Sequence, residues 1–180
     1  GKLQRLCGHA RREQAVVGLE QALCPHLLLH AHHRLVEVDL GGWDNHNGIH
    51  TILKDNKLPV LDRAMSALVS DLAERELLDD TVVMWMGQFG RTPRINRNAG
   101  RDHWGQVMSV MLSGGDLKVG QIIGASDSNG AVPAERPCRP ENVLATLYRH
   151  LGIDPQLTFK DPSGRPRYIL ERREVVKELA

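Results

Sequence analysis

The alternation of hydrophobic and polar residues changes period several times along this chain, and each change marks an element. Residues 1–30 carry little pattern, with Lys2, Arg5, Arg11, Arg12 and Glu13 among short apolar pieces; a helix over Glu13–Cys24 is the expectation there. Leu35-Val36-Glu37-Val38-Asp39-Leu40 alternates in type and runs into Gly41-Gly42, as a strand entering a turn does. Over Pro59–Leu78 the apolar positions Leu61, Met65, Leu68 and Leu72 recur at helical spacing, with Asp62, Arg63, Asp71, Glu74 and Arg75 on the other faces. Pro59 suits a first helical turn, and Asp79-Asp80 breaks the pattern. Thr81–Met86 is continuously apolar and β-branched at its start, which predicts a strand buried on both faces.

A helix between two such strands is a βαβ unit and predicts a parallel sheet at this point. Residues 87–106 form a loop rich in Gly, Arg and Asn. Val107–Leu112 is a third apolar run, closed by Ser113-Gly114-Gly115. A turn-rich stretch and Pro133, Pro137 and Pro140 follow. Glu141–Leu151 is a second helix, with Leu144, Leu147 and Leu151 on one stripe and Gly152 as its stop. The remainder, with Asp161-Pro162-Ser163-Gly164-Arg165-Pro166, is polar. The chain therefore divides into a poorly patterned segment at 1–33, a domain-forming segment at 34–170 and a polar tail at 171–180.

Composition narrows the function classes. The 180 residues hold 23 Lys and Arg against 22 Asp and Glu, a net charge of +1, which excludes an acidic tail protein and a generally basic nucleic-acid binder. No apolar stretch approaches the roughly 18–20 residues of a membrane span. Cys7, Cys24 and Cys138 are widely spaced and form no CxxC pair, so neither a disulfide framework nor a cysteine zinc site is signalled. The opening residues Gly1-Lys2-Leu3-Gln4-Arg5 have no initiator Met and no apolar signal core; the chain reads as a fragment.

Three polar clusters adjoin the strands: Gly41-Gly42-Trp43-Asp44-Asn45-His46, Gly87-Gln88-Phe89-Gly90-Arg91-Thr92-Pro93, and Gly100-Arg101-Asp102-His103-Trp104. In open α/β sheets ligands bind beyond the carboxyl ends of strands, so these clusters are expected to meet. Asp44, His46 and His103 suit a hard or borderline divalent metal. The bland alternative makes Asp44 a turn cap and His46 an exposed loop residue. Arg91, Arg94, Arg97 and Arg101 could hold a phosphate or sulfate, Arg91 being best placed, or could be a solvated loop. His26, His30 and His33 would share a helical face but have no carboxylate partner. Neither Ser109 nor Ser113 sits in a GxSxG elbow, so no nucleophile is identified.

Taken together, GGWDNH at 41–46, GQFGRTP at 87–93, GRDHW at 100–104 and LGIDP at 151–155 resemble the C-terminal half of a bacterial domain-of-unknown-function family, number 1501, of the alkaline phosphatase and sulfatase superfamily. The resemblance covers about residues 34–170. It implies an α/β sandwich with a central, largely parallel sheet flanked by helices, incomplete on its N-terminal side. It also implies a two-metal site at the sheet edge, with zinc or calcium as the cofactor. Asp44, His46 and His103 would ligate one metal and the Gln88 position would face the other, with Arg91 and Arg101 contacting a small anionic ester. Gln88 departs from the family, whose residue there is acidic; an amide removes a charge that a divalent cation needs. The nucleophile-bearing half expected of such an enzyme is not in this sequence, so the chain is expected to be inactive alone. Its parent is expected to be an exported protein. The competing expectation is a non-catalytic structural or binding module, or a truncated product without activity.

Overall fold

The computed structural model describes residues 14–18 and 35–180. By contact density the chain forms two compact units, Gly1–Asp71 with Asn98–Gly100, and Leu72–Arg97 with Arg101–Ala180.

In the first unit, strand β1 (Gln14–Gly18) pairs in parallel with β2 (Leu35–Asp39). β1 occupies part of the stretch expected to be helical; its central Val16-Val17 pair is β-branched and favours extended backbone. The rest of that expected helix, and His26, His30 and His33, lie outside the described residues. After the loop that follows β2 the chain turns helical at Ile49, ten residues before the expected start at Pro59. Helix α1 (Ile49–Ile52) runs through a single π turn (Leu53–Lys57) into α2 (Leu58–Glu74). Pro59 explains the π turn. Proline cannot donate to the carbonyl four residues back and its ring clashes there, and widening the preceding turn relieves that conflict. The sequence places Pro59 at a helix start; it stands instead inside a continuous helical run.

The second unit begins with the last turn of α2, whose end is a Schellman motif. Leu77 N–H donates to the Leu72 carbonyl at 2.9 Å and Glu76 N–H to that of Ala73 at 3.1 Å, with Glu76 in the left-handed region. Strand β3 (Val83–Met86) follows and pairs antiparallel with β6 (Val110–Ser113), in the register Val83 to Ser113 and Met86 to Val110. Between them lies a short antiparallel hairpin of β4 (Gly90–Arg91) and β5 (His103–Trp104). Two further antiparallel pairs are β7 (Ala125–Ser126) with β8 (Pro133–Glu135) and β9 (Thr158–Lys160) with β10 (Pro166–Tyr168). Helix α3 (Pro140–His150) stands between those pairs and stops at Gly152 in a second Schellman motif, as the sequence leads one to expect.

This architecture overturns the expected alkaline phosphatase-like fold. The strands form five two-stranded sheets among the described residues, and four of the five pairings are antiparallel. There is no central parallel sheet flanked by helices. The βαβ unit fails because β3 takes β6 as its partner and β2 takes β1. A parallel return needs a crossover, usually a helix, whereas residues 87–109 carry only a hairpin and so bring the chain back antiparallel. The expected two-sided burial of β3 fails with it: Val83 is buried, but Met84, Trp85 and Met86 are exposed.

The buried side chains of the second unit are Leu72, Val83, Ala145, Thr146, Leu170, Val176 and Leu179. In α3 the inward residues are Ala145 and Thr146, while Leu144 and Leu151 of the anticipated stripe are exposed. A hydrogen bond sets this rotation: Thr146 Oγ1 accepts the backbone N–H of Val176 at 2.9 Å and donates to the Asn142 carbonyl at 2.8 Å. No helix among the described residues is long and apolar enough to cross a membrane.

Candidate metal centre

The loop after β2 is folded by its own polar groups. Asn45 N–H donates to the Trp43 carbonyl at 2.9 Å and its side-chain amide to the Gly42 carbonyl at 3.1 Å, while Lys57 Nζ clamps the Gly41 carbonyl at 2.6 Å. This tight winding puts side chains two apart on the same side, which an extended strand also does but a helix does not. His46 Nε2 and Asp44 Oδ1 are 3.0 Å apart, with the Asp44 carboxylate well exposed and the His46 ring partly so.

The same loop binds a second stretch of chain. Gly48 N–H donates to the Asn98 carbonyl and Ile49 N–H to that of Ala99, each at 3.0 Å. Gly100 is buried against it, and a Cβ there would lie 1.9 Å from the His46 carbonyl oxygen and 2.7 Å from the Asn47 nitrogen. Only glycine allows that approach. Three residues further on, His103 completes a triad: Asp44, His46 and His103 each offer one ligand atom, and all three atoms lie within 4.8 Å of one another.

The donor set fits a divalent cation. Zinc holds nitrogen and oxygen ligands at about 2.0–2.2 Å, which puts tetrahedral neighbours about 3.4 Å apart. The Asp44–His46 separation of 3.0 Å is already close to that edge. Two of the three residues are exposed and the third is half-buried.

His103 owes its position to the β4–β5 hairpin. Arg91 and His103 stand opposite each other, Gly90 opposite Trp104. Thr92 N–H donates to the Asp102 carbonyl at 2.9 Å, and Asp102 N–H returns a bond to Thr92 Oγ1 at 3.1 Å. The Asn96 amide donates to the Asp102 carboxylate at 3.1 Å, which ties that side chain within the loop beside the ligand. The two arginines expected to meet an anion both contact backbone here. Arg91 Nη1 donates to the Arg101 carbonyl at 3.2 Å; Arg101 Nη1 donates to the Thr92 and Pro93 carbonyls, each at 2.6 Å. Both guanidinium groups are half-buried in the hairpin, whereas Arg94 and Arg97 are exposed. Gln88 is exposed on the turn after β3 and is not one of the three gathered donors.

Reading the sequence for chemistry alone passed over Gly90, Gly100, Phe89, Thr92 and Asn96. The two glycines had a signal, since each sits at fixed distance from a candidate ligand or arginine within a polar loop. Phe89 lies with its ring centroid 4.3 Å from that of His103, tilted by 43°.

A family model described as "Protein of unknown function (DUF1501)" matches residues 2–180. No curated protein and no solved structure matches the chain.

Proposed function

Since the chain belongs to the DUF1501 family, whose description assigns no chemistry, we propose a function from the site itself: this is a divalent-metal-binding protein segment in which Asp44, His46 and His103 are the ligands. The observation that carries the reading is the convergence of one carboxylate and two imidazoles, from positions almost sixty residues apart, to within 4.8 Å. Two nitrogen donors and one oxygen favour zinc, or another borderline transition metal, over calcium, which takes six to eight oxygens. Bound there, such a metal would act as a Lewis acid toward an anionic oxygen and lower the pKa of its water.

The finer reading is a metal-dependent hydrolase of the phosphatase and sulfatase kind, acting on a small anionic ester. The half-buried guanidinium groups of Arg91 and Arg101 support it, as fixed positive charge on the hairpin that carries His103. This chain does not turn over esters by itself in this reading, because no serine or cysteine stands in a nucleophile's setting. One observation favours the competing reading of a non-catalytic binding or structural module. Gln88 is neutral where a second cation would require a carboxylate.

The test is calorimetric titration of metal-free protein with zinc, manganese and calcium, beside Asp44→Asn, His46→Ala and His103→Ala variants. Stoichiometric zinc binding is expected, weakened by about a hundredfold or more in each variant, since even outer residues of metal sites cost 10- to 100-fold. Absence of binding, or binding indifferent to all three substitutions, overturns the metal reading. Binding of inorganic phosphate or sulfate by the zinc-loaded protein, weakened in Arg91→Ala and Arg101→Ala, separates the two finer readings: the hydrolase reading expects it and the non-catalytic module does not.

A further inference from the structure

We propose that Phe89 is a positioning residue for the metal centre, holding the imidazole of His103 in a ligating orientation through contact with its ring. This rests on the reading of Asp44, His46 and His103 as metal ligands. It assigns a role to a residue in the GQFGRTP segment that the ligand chemistry leaves unexplained.

His103 is exposed and sits on a strand of only two residues, so its backbone constrains the side chain weakly. Fixing a ligand's rotamer before a metal arrives lowers the entropy lost on capture. Phe89 is half-buried, and its ring centroid stands 4.3 Å from the His103 ring at a tilt of 43°, inside the range of favourable aromatic pairs. The contact suits a ligand for a geometrical reason. Imidazole lone pairs lie in the ring plane, so a neighbour packed over the ring restricts its rotation without occupying the ligating nitrogens.

The backbone fixes Phe89 in turn. It immediately precedes Gly90, which pairs with Trp104 and lies so close to the chain opposite that an added Cβ would stand 1.8 Å from the Val107 carbonyl oxygen. With Gly90 seated there and Arg91 opposite His103, Phe89 flanks the ligand-bearing strand as a consequence of register. Its partner is thus specified by the hairpin, not by a flexible loop.

The experiment is cobalt(II) and zinc titration of the full chain and of Phe89→Ala, Phe89→Leu and Phe89→Tyr variants. It reads affinity, and the visible spectrum of bound cobalt as a report on ligand geometry. An aromatic pair contributes enough for Phe89→Ala to weaken binding roughly three- to tenfold and to broaden the cobalt bands. Phe89→Tyr should restore both, and Phe89→Leu, which keeps apolar bulk without the ring, should not. Melting temperatures of the metal-free proteins identify any variant that has lost its fold; should Phe89→Ala be one, the Leu and Tyr pair decides. Wild-type affinity and spectrum in Phe89→Ala, or in Phe89→Leu, overturn the positioning role while leaving the metal site standing. Failure of the unaltered protein to bind either metal overturns the metal reading itself, and this role with it.

Discussion

The β4–β5 hairpin and the closing region from α3 to residue 180 are held by different forces. The hairpin has no buried large apolar side chain among its residues 87–104. It is shaped by backbone pairing, by Arg101 capping two carbonyls at 2.6 Å, by the reciprocal bonds of Thr92 and Asp102, and by the close seat of Gly90. The closing region instead buries Ala145, Leu170, Val176 and Leu179 about a buried polar link, Thr146. Burial of this kind is non-directional and tolerates adjustment, whereas directional bonds and close approach hold side chains to a geometry. The strand that carries His103 is built by the second method.

Identical substitutions at two glycines sharpen this contrast most. At Gly90 a methyl group would meet the Val107 carbonyl oxygen at 1.8 Å and the Trp104 carbonyl oxygen at 3.3 Å, so the backbone must move. Gly90→Ala is expected to cost about 3 kcal/mol, at the upper end of overpacking penalties, and to abolish metal binding through His103. Gly152, at the end of α3, has a φ of +72° and nothing within 4 Å of the Cβ it lacks. Gly152→Ala carries only the left-handed penalty, about 1 kcal/mol. Urea unfolding of both variants checks the order. Equal losses would mean that the hairpin is not governed by close approach.

The next largest effect tests the buried directional element in the closing region. Thr146→Val keeps the shape of the side chain but removes the acceptor of the Val176 N–H, which then lies buried without it. A loss of about 1–2 kcal/mol in urea unfolding is expected. Thr146→Ser, which keeps the hydroxyl, should lose less. If valine is tolerated as well as serine, apolar burial alone closes this region.

The same division explains what could be read from the sequence. Periodicity found α2 and α3 because an apolar stripe and a Pro or Gly at the end are local signals, and the Gly152 stop appears as anticipated. Strand locations were also local: β2 and β3 fall within the runs that predict them, and β6 overlaps the run at 107–112 and extends to Ser113, which the sequence places in the turn. Pairing is not local. Nothing in Val83–Met86 distinguishes β2 from β6 as a partner, and the deciding feature was the absence of a helix in residues 87–109, which excludes a crossover. The candidate ligands were legible for another reason: carboxylate and imidazole in glycine-bounded turns are rare enough to stand out as chemistry. Their support was not legible, because Phe89, Thr92 and Asn96 act through register, and register appears only once β4 meets β5.

The smallest expected effect concerns charge in the closing region, where the chain end is tied by a two-point ion pair. Glu178 Oε1 and Oε2 accept from Arg136 Nε and Nη2 at 2.5 and 2.8 Å, and the Gln121 amide donates to the Glu178 carbonyl at 2.8 Å. The hydrogen bonds from Arg136 hold the Glu178 carboxyl below its ordinary value of 4.5, and the same pair raises the Arg136 guanidinium. Asp127 is likewise held below 3.8, chiefly by the backbone N–H of Ala131 and then that of Val132. In both carboxyls the folded state favours the ionised form, so the unfolded chain binds protons more readily. Their contribution is therefore present above the ordinary values of 4.5 and 3.8 and is lost as pH falls through the lowered values of the folded state. Because both groups are exposed, the change is small and screened by salt. Urea midpoints measured from pH 7 to pH 3 at low ionic strength should decline only in the acid range. Glu178→Gln and Asp127→Asn should each flatten part of that decline, with neither altering zinc affinity at pH 7. An acid slope unchanged by Glu178→Gln would show that the pair with Arg136 contributes nothing to the stability of the closing region.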